Sequence, residues 1–465
     1  MTVVHQLSPA LARVVATALG ADVAIEDLRA LTGGASRSTL AFDAVTADER
    51  WPLILRIGPP DDVHAGMELE ARVQAAAAAA GAPVPRVLVA DNSTAALGNP
   101  FLICEEVNGE TIVRRIQRQL DDIGRSRLLS QCAQALAAIH RADTSTVHDP
   151  ELATQDQLAE WRGRLDAMGD TTATFEWAFR WLAAHRPASS PPHLVHGDYR
   201  MGNLIVDGSE LAAVLDWELV HVGEVYEDLA WFCIRAWRFG APADRGAGGL
   251  GSVEDFLCGY QQASGTTVDR VAFHWWLVLA TLRWGVICRY QAERHLSGQT
   301  PSVELAAIGR RVCETEWDLL DLLDEARPSG DDAGRVAGPG WGSPGLRGSG
   351  QIPGTGRYGR PTAAELVAAV AEFLETDVRE ATAGQVNFHA RVAANALRIV
   401  QRELQVDSVD DVTRALAGVG FDDEAQLAAA IRAGELDGRG EALHTALRAL
   451  VNHRLTVAHP GYQDG

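Results

Sequence analysis

The stretch HLVHGDYRMGNLIVDGSELAAVLDWE, His193–Glu218, governs how the rest of the chain is read. It holds two short apolar runs, LIV and LAAVL, separated by DGSE. Apolar runs of that length around Asp207 and Gly208 carry the signal of a two-stranded hairpin. Closing the hairpin brings Asn203, just ahead of the first strand, beside Asp216, at the end of the second. Two hard oxygen ligands then share one end of the hairpin. Such a pair suits Mg²⁺, which is usually held by one or two carboxylates together with substrate phosphates. Asp198 lies in the loop leading into the hairpin, where it is free to face an acceptor group rather than the metal.

The spacing His-x-Asp-x-x-x-x-Asn, then a hairpin and a second Asp, is the phosphoryl-transfer arrangement of kinases. There the first Asp takes the proton of an attacking hydroxyl, and the Asn and second Asp hold Mg²⁺ on the nucleotide phosphates. Singly, these residues would read as turn and cap residues. Their joint placement points to chemistry.

Composition narrows the rest. A chain of 465 residues is too long for one ordinary core, so two or three domains are expected. The net charge of −21 disfavours nucleic acid as a partner. Cys104, Cys132, Cys233, Cys258, Cys288 and Cys313 are scattered, with no zinc-type or redox pair, which fits a reducing, cytoplasmic setting. The start, MTVVHQLSPALARVV, lacks the basic segment and long apolar core of a signal peptide. The longest apolar run, VAFHWWLVLATLRWGVIC, contains His274 and Arg283 and reads as a buried helix, so no membrane partner is expected. The sequence contains no lysine, and all 41 basic residues are arginine. A lysine Schiff base and a P-loop lysine are therefore excluded, and bound phosphates must be held by arginine.

Four segments follow along the chain. Residues 1–107 mix strands and helices around the glycine loop LTGGASRSTL. Gly33, Gly34 and Ser36 offer backbone N–H groups to phosphates. Arg56, in the strand LILRIG, stands where a kinase carries its phosphate-contacting lysine, and Glu70 on the next helix is its expected partner. PFLICEEVNGE is the expected hinge, with backbone groups near Glu106 facing a purine. Residues 108–328 are mainly helical and contain the hairpin, and 329–359 have the Gly/Pro/Ser composition of a flexible linker. Residues 360–465 read as an independently folding helical domain that opens on a Thr362/Glu365 capping box. Val367, Val370 and Leu374 are expected to pack its core.

Over residues 20–325 the sequence resembles the aminoglycoside phosphotransferase and choline kinase-like family. HGDYRMGNL and LDWE are the specific motifs, supported by LTGGASRSTL and LILRIGPP. The resemblance implies an α+β, protein-kinase-like two-lobed fold followed by an all-helical C-terminal domain. It also implies ATP and Mg²⁺ as cofactors, Asp198 as catalytic base, Asn203 and Asp216 as metal ligands, His196 shaping the loop and Asp228 as a structural residue. Arg56 departs from the lysine of many members. It is similar to the branch of phosphotransferase domains fused to acyl-CoA dehydrogenases, which implies a hydroxyacyl-CoA acceptor. The alternatives are an aminoglycoside or amino-alcohol kinase, or a nucleotide-binding pseudokinase acting as a scaffold. The region from 360 resembles a small helical domain of unassigned function found beside such phosphotransferases, and is expected to dock on the kinase-like part or on another chain. Arg283 and Arg289, on the Trp-rich helix, are weak candidates for holding an anionic acceptor.

Overall fold

The computed structural model describes residues 2–31, 37–59, 65–147, 152, 156–325, 362–406 and 410–465. The chain divides into two compact units, one built from Met1–Glu160 with His185–Thr281, the other from Trp161–Ala184 with Leu282–Gly465.

The first unit opens with helix Thr2–Leu19, which stops where Gly20 turns into the left-handed region (φ +68°). Five antiparallel strands follow: β1 (Ala24–Ala30), β2 (Ser38–Val45), β3 (Arg50–Ile57), β4 (Val87–Asp91) and β5 (Phe101–Glu105), in the order β1-β2-β3-β5-β4. Alternation in β2 and β3 sends Leu40, Phe42, Leu53 and Leu55 to one face, where Leu11 and Val15 of the first helix cover them. The opposite face packs Ile54, Leu102 and Cys104 against Met67 of helix Met67–Ala79. The sheet is thereby covered on both sides, and Arg56 is carried on β3 towards that helix.

After β5 the chain pairs with the hairpin, since Glu110 and Val206 exchange backbone hydrogen bonds at 2.8 and 3.1 Å. Gly109 is required there. Its φ is +144°, and a Cβ would sit 2.5 Å from the Ile205 side chain. A short pair, β6 (His193–Val195) and β9 (His221–Gly223), flanks the hairpin strands β7 (Leu204–Asp207) and β8 (Glu210–Val214). The hairpin closes at Gly208 (φ +61°), as the Asp-Gly signal predicts.

The second unit is helical, and it takes in helices from before the expected linker together with residues 362–406 and 410–465. One core joins Leu416, Leu427, Leu443, Leu447 and Leu450 from the C-terminal helices to Ala173, Cys313 and Leu320 from helices Ala173–Ala184 and Val312–Glu325. The expected C-terminal domain thus shares apolar surface with segments from the mainly helical region before it. The capping box at Thr362/Glu365 is formed, with both reciprocal bonds present. Of the three residues expected to pack a core around helix Ala363–Phe373, Val367 and Leu374 are partly buried, whereas Val370 is half exposed, as are Leu366 and Phe373. Among the buried residues at its pairing with helix Gly384–Glu403 are Ala371, Ala390 and Ala394, whose small side chains allow close approach. The whole expected linker, 329–359, lies outside the described residues. Helix Arg270–Leu296 is long and apolar enough to cross a membrane, but 72% of its most apolar window is buried inside the protein, with Trp275 and Trp276 in the core.

Candidate active site

The loop before the hairpin is held from behind. Asp228, fully buried on helix Tyr226–Cys233, accepts hydrogen bonds from the His196 and Gly197 backbone N–H groups at 2.7 and 2.9 Å and lies 3.2 Å from His140 Nε2. Tyr260 completes the chain, its hydroxyl 2.8 Å from His140 Nδ1. Burial alone would raise the Asp228 pKa, but the bonds from His140 and the loop hold it below the ordinary carboxylate value. Burial lowers the His140 pKa despite the carboxylate beside it. His196 receives the Asp198 N–H on Nδ1 at 3.2 Å and gives its Nε2–H to the Leu215 carbonyl at 3.0 Å. Its ring thereby ties the loop to the far end of β8. Gly197 admits no side chain, since its φ is +82° and a Cβ would lie 2.3 Å from the Leu219 carbonyl oxygen.

This support sets Asp198 at the mouth of the hairpin, where its carboxylate is densely ligated. Oδ1 accepts from Trp231 Nε1 at 2.6 Å, and Oδ2 from Asn203 Nδ2 at 2.7 Å. Arg200 Nε reaches both oxygens, at 3.0 and 3.1 Å. Asn203 also donates to the Asp198 carbonyl at 2.9 Å, so its amide nitrogen is committed to the loop and its Oδ1 remains as the ligand end. The Asn203 carbonyl accepts the Leu215 N–H at 2.8 Å, which places Asn203 and Asp216 at the same end of the hairpin, as the spacing predicts. Asp216 itself has φ +68°, a conformation Asp tolerates better than most residues.

From Asp216 a chain of charges runs into the sheet. Arg56 donates to Asp216 Oδ1 at 2.9 Å and to Glu70 Oε2 at 2.8 Å, and lies 3.7 Å from Glu218. The three carboxylates together raise its pKa, against the lowering effect of its burial. The expected Arg56–Glu70 pair is therefore present, with the guanidinium serving two carboxylates at once. Glu70 is fully buried and takes a second arginine, Arg37, just ahead of β2. Arg37 also donates to the Ala65 carbonyl at 2.8 Å. Sequence reasoning missed Arg37, Arg200 and Trp231, because each acts through a partner that only folding brings near.

Glu106 lies just past β5. Its N–H donates to the Pro52 carbonyl at 3.0 Å and its side chain faces Arg29 at 3.5 Å. That N–H is thus spent inside the sheet. Gly33, Gly34 and Ser36 lie outside the described residues. Arg283 and Arg289 belong to the second unit, where Arg289 pairs with Asp170. Among the described residues no group of three or more His, Cys, Asp or Glu side chains forms a metal cage.

Comparison with known proteins sets this geometry in context. Residues 27–274 match the phosphotransferase enzyme family, and residues 380–462 match a domain family of unknown function, DUF6285. Acyl-CoA dehydrogenase family member 10 of Mus musculus is 28% identical over 291 residues, covering 57% of this chain and 27% of the mouse protein. Family member 11 of Pongo abelii is 26% identical over 312 residues, covering 61% of this chain and 39% of its own length. The chain thus matches about a third of the length of these relatives. A crystal structure from Ralstonia eutropha, described as a candidate aminoglycoside phosphotransferase, superposes with a TM-score of 0.59 at 22% identity, over 69% of this chain and 99% of that one. That likeness establishes a kinase-like fold.

Proposed function

Because the chain belongs to the phosphotransferase enzyme family, we propose that it moves the γ-phosphoryl group of ATP to a hydroxyl of a small anionic molecule, with a hydroxyacyl-CoA as the leading candidate. The observation that carries the reading is the convergence of Asp198, Asn203 and Asp216 at one end of the β7–β8 hairpin, joined through Asp216 to Arg56 and Glu70. In this reading Asp198 takes the proton of the attacking hydroxyl. Arg56, fixed by Glu70, supplies the cation that lysine supplies elsewhere. The residues fit Mg²⁺. Asn203 Oδ1 and the second oxygen of Asp216 are hard ligands, and two protein oxygens plus phosphates is how this ion is commonly held. Bound there, Mg²⁺ would neutralise phosphate charge; positioning the hydroxyl falls to the protein.

An anionic acceptor is favoured by the surroundings of Asp198, which are cationic and aromatic. Arg200 lies on the carboxylate and its guanidinium stacks over Trp237, 4.9 Å from the ring centre. The Trp231 ring meets Trp237 at 5.3 Å. A polycationic aminoglycoside would call for carboxylates there instead. The matched relatives are named as acyl-CoA dehydrogenases, which motivates the choice of thioester. The test is a phosphorylation screen of hydroxyacyl-CoAs, hydroxy acids, amino alcohols and aminoglycosides. Asp198→Asn is expected to keep Mg·ATP affinity and lose roughly 10²–10⁴-fold in turnover. Wild-type turnover in that variant removes Asp198 from its role. Phosphorylation of aminoglycosides with no turnover of any hydroxyacyl-CoA overturns the choice of acceptor.

A further inference from the structure

Building on the reading of Asp198 as the base, we propose that Arg200 caps that base while the acceptor is absent, shielding it from water, and yields its place to the acceptor hydroxyl.

The inference comes from counting acceptor sites. A carboxylate offers about four lone-pair positions on its two oxygens. On Asp198 each oxygen already receives two donors: Trp231 and Arg200 on Oδ1, Asn203 and Arg200 on Oδ2. An incoming hydroxyl can donate its proton there only if one donor leaves. Trp231 and Asn203 are buried, 2% and 6% exposed, and hold the shorter bonds of 2.6 and 2.7 Å. Arg200 differs in every respect. It has a single Nε–H divided between two oxygens at 3.0 and 3.1 Å, and its side chain is 26% exposed. A divided hydrogen bond at the longer distance is the one that breaks first.

The cap is built into the loop. The guanidinium rests on Trp237, and its Nη1 lies against Gly202, where no side chain stands in its way. On leaving the carboxylate, Arg200 retains the Trp237 face as a resting place. Displacing it takes binding energy. An acceptor supplies that energy from the rest of its structure, whereas a lone water has none to offer.

The side reaction held back is ordinary hydrolysis. The oxygen of water bonds to the γ-phosphorus, the bond from that phosphorus to the bridging oxygen of ADP breaks, and the water proton passes to Asp198 and then to solvent. ATP and water give ADP, inorganic phosphate and a proton. Transfer thereby becomes conditional on an acceptor being present.

The experiment measures ATP hydrolysis by the full-length chain with Mg·ATP and no acceptor. It compares wild type, Arg200→Met, Arg200→Gln, Asp198→Asn and the Asp198→Asn/Arg200→Met double variant, with circular dichroism confirming that each is folded. Losing one charge-assisted contact of about 1.4 kcal/mol corresponds to roughly a tenfold rise in acceptor-free hydrolysis in both Arg200 variants. Asp198→Asn in the Arg200→Met background should return hydrolysis to the wild-type level or below. A residue that served only the fold would not raise turnover when removed. Unchanged or reduced hydrolysis in folded Arg200 variants overturns the cap. If residual wild-type hydrolysis is meanwhile lost in Asp198→Asn, the base assignment survives. A rise that persists in the double variant overturns both.

Discussion

Replacing Glu70 by glutamine is the sharpest probe of the charge chain behind the site. Glu70 is fully buried and receives two guanidinium groups, Arg37 on Oε1 and Arg56 on Oε2. Glutamine preserves the shape, yet its amide nitrogen must face one of the two arginines, donor against donor. Arg56 retains Asp216 and Glu218, so the loss falls on Arg37. The Arg37 side chain is 6% exposed and, among the described residues, would keep the Ala65 carbonyl and the Met67 sulfur at 3.3 Å. Breaking a buried ion pair by neutralising one partner costs about 3–5 kcal/mol. The assay is equilibrium urea unfolding, with hydrogen exchange at β2, β3 and helix Met67–Ala79 as the local readout. Arg37→Met and the Arg37→Met/Glu70→Gln double variant complete a cycle. The double variant should be less destabilised than the sum of the singles by about 1–3 kcal/mol, as expected for residues in direct contact. A Glu70→Gln cost below about 1 kcal/mol, or strict additivity, would refute the reasoning.

Three further outcomes follow from buried charge and shared core. His140 has its pKa held below the ordinary 6.5 by burial, so between the folded value and 6.5 the unfolded chain binds more protons and stability falls as pH drops through that window; His140→Asn should flatten this limb in urea titrations at successive pH values, and an unchanged slope would rule His140 out as its source. Arg454 holds fully buried Glu316 at 2.9 Å and also pairs with Glu424, so Arg454→Met should destabilise the second unit by about 3–5 kcal/mol, visible as faster hydrogen exchange in helix Val312–Glu325. A chain ended at residue 325 exposes Ala173, Cys313 and Leu320 together with the flanking Trp177 and Trp317, and should bind hydrophobic dye or aggregate where the full chain does not; a monomeric, dye-silent fragment would show that the earlier helices need no C-terminal cover.

What the sequence determined by itself was local. The hairpin, the offset from Asp198 to Asn203 and the placement of Asp216 follow from turn chemistry at Asp207 and Gly208 and from strands a few residues long. The capping box at Thr362 is legible for the same reason, since its partner Glu365 lies within a helical turn. Arg56 and Glu70 were legible because the spacing of a strand and the next helix placed them, although the sequence did not reveal that Arg56 also serves Asp216. Only the tertiary structure decided that Trp231 and Arg200 ligate the Asp198 carboxylate, that Arg37 shares Glu70, and that the C-terminal helices share a core with Ala173, Cys313 and Leu320. An arginine has no partner code along the chain, because its guanidinium pairs with whichever carboxylate folding brings within reach. Apolar burial is non-directional, so a stripe of leucines and alanines announces that it will be covered without naming the helix that covers it.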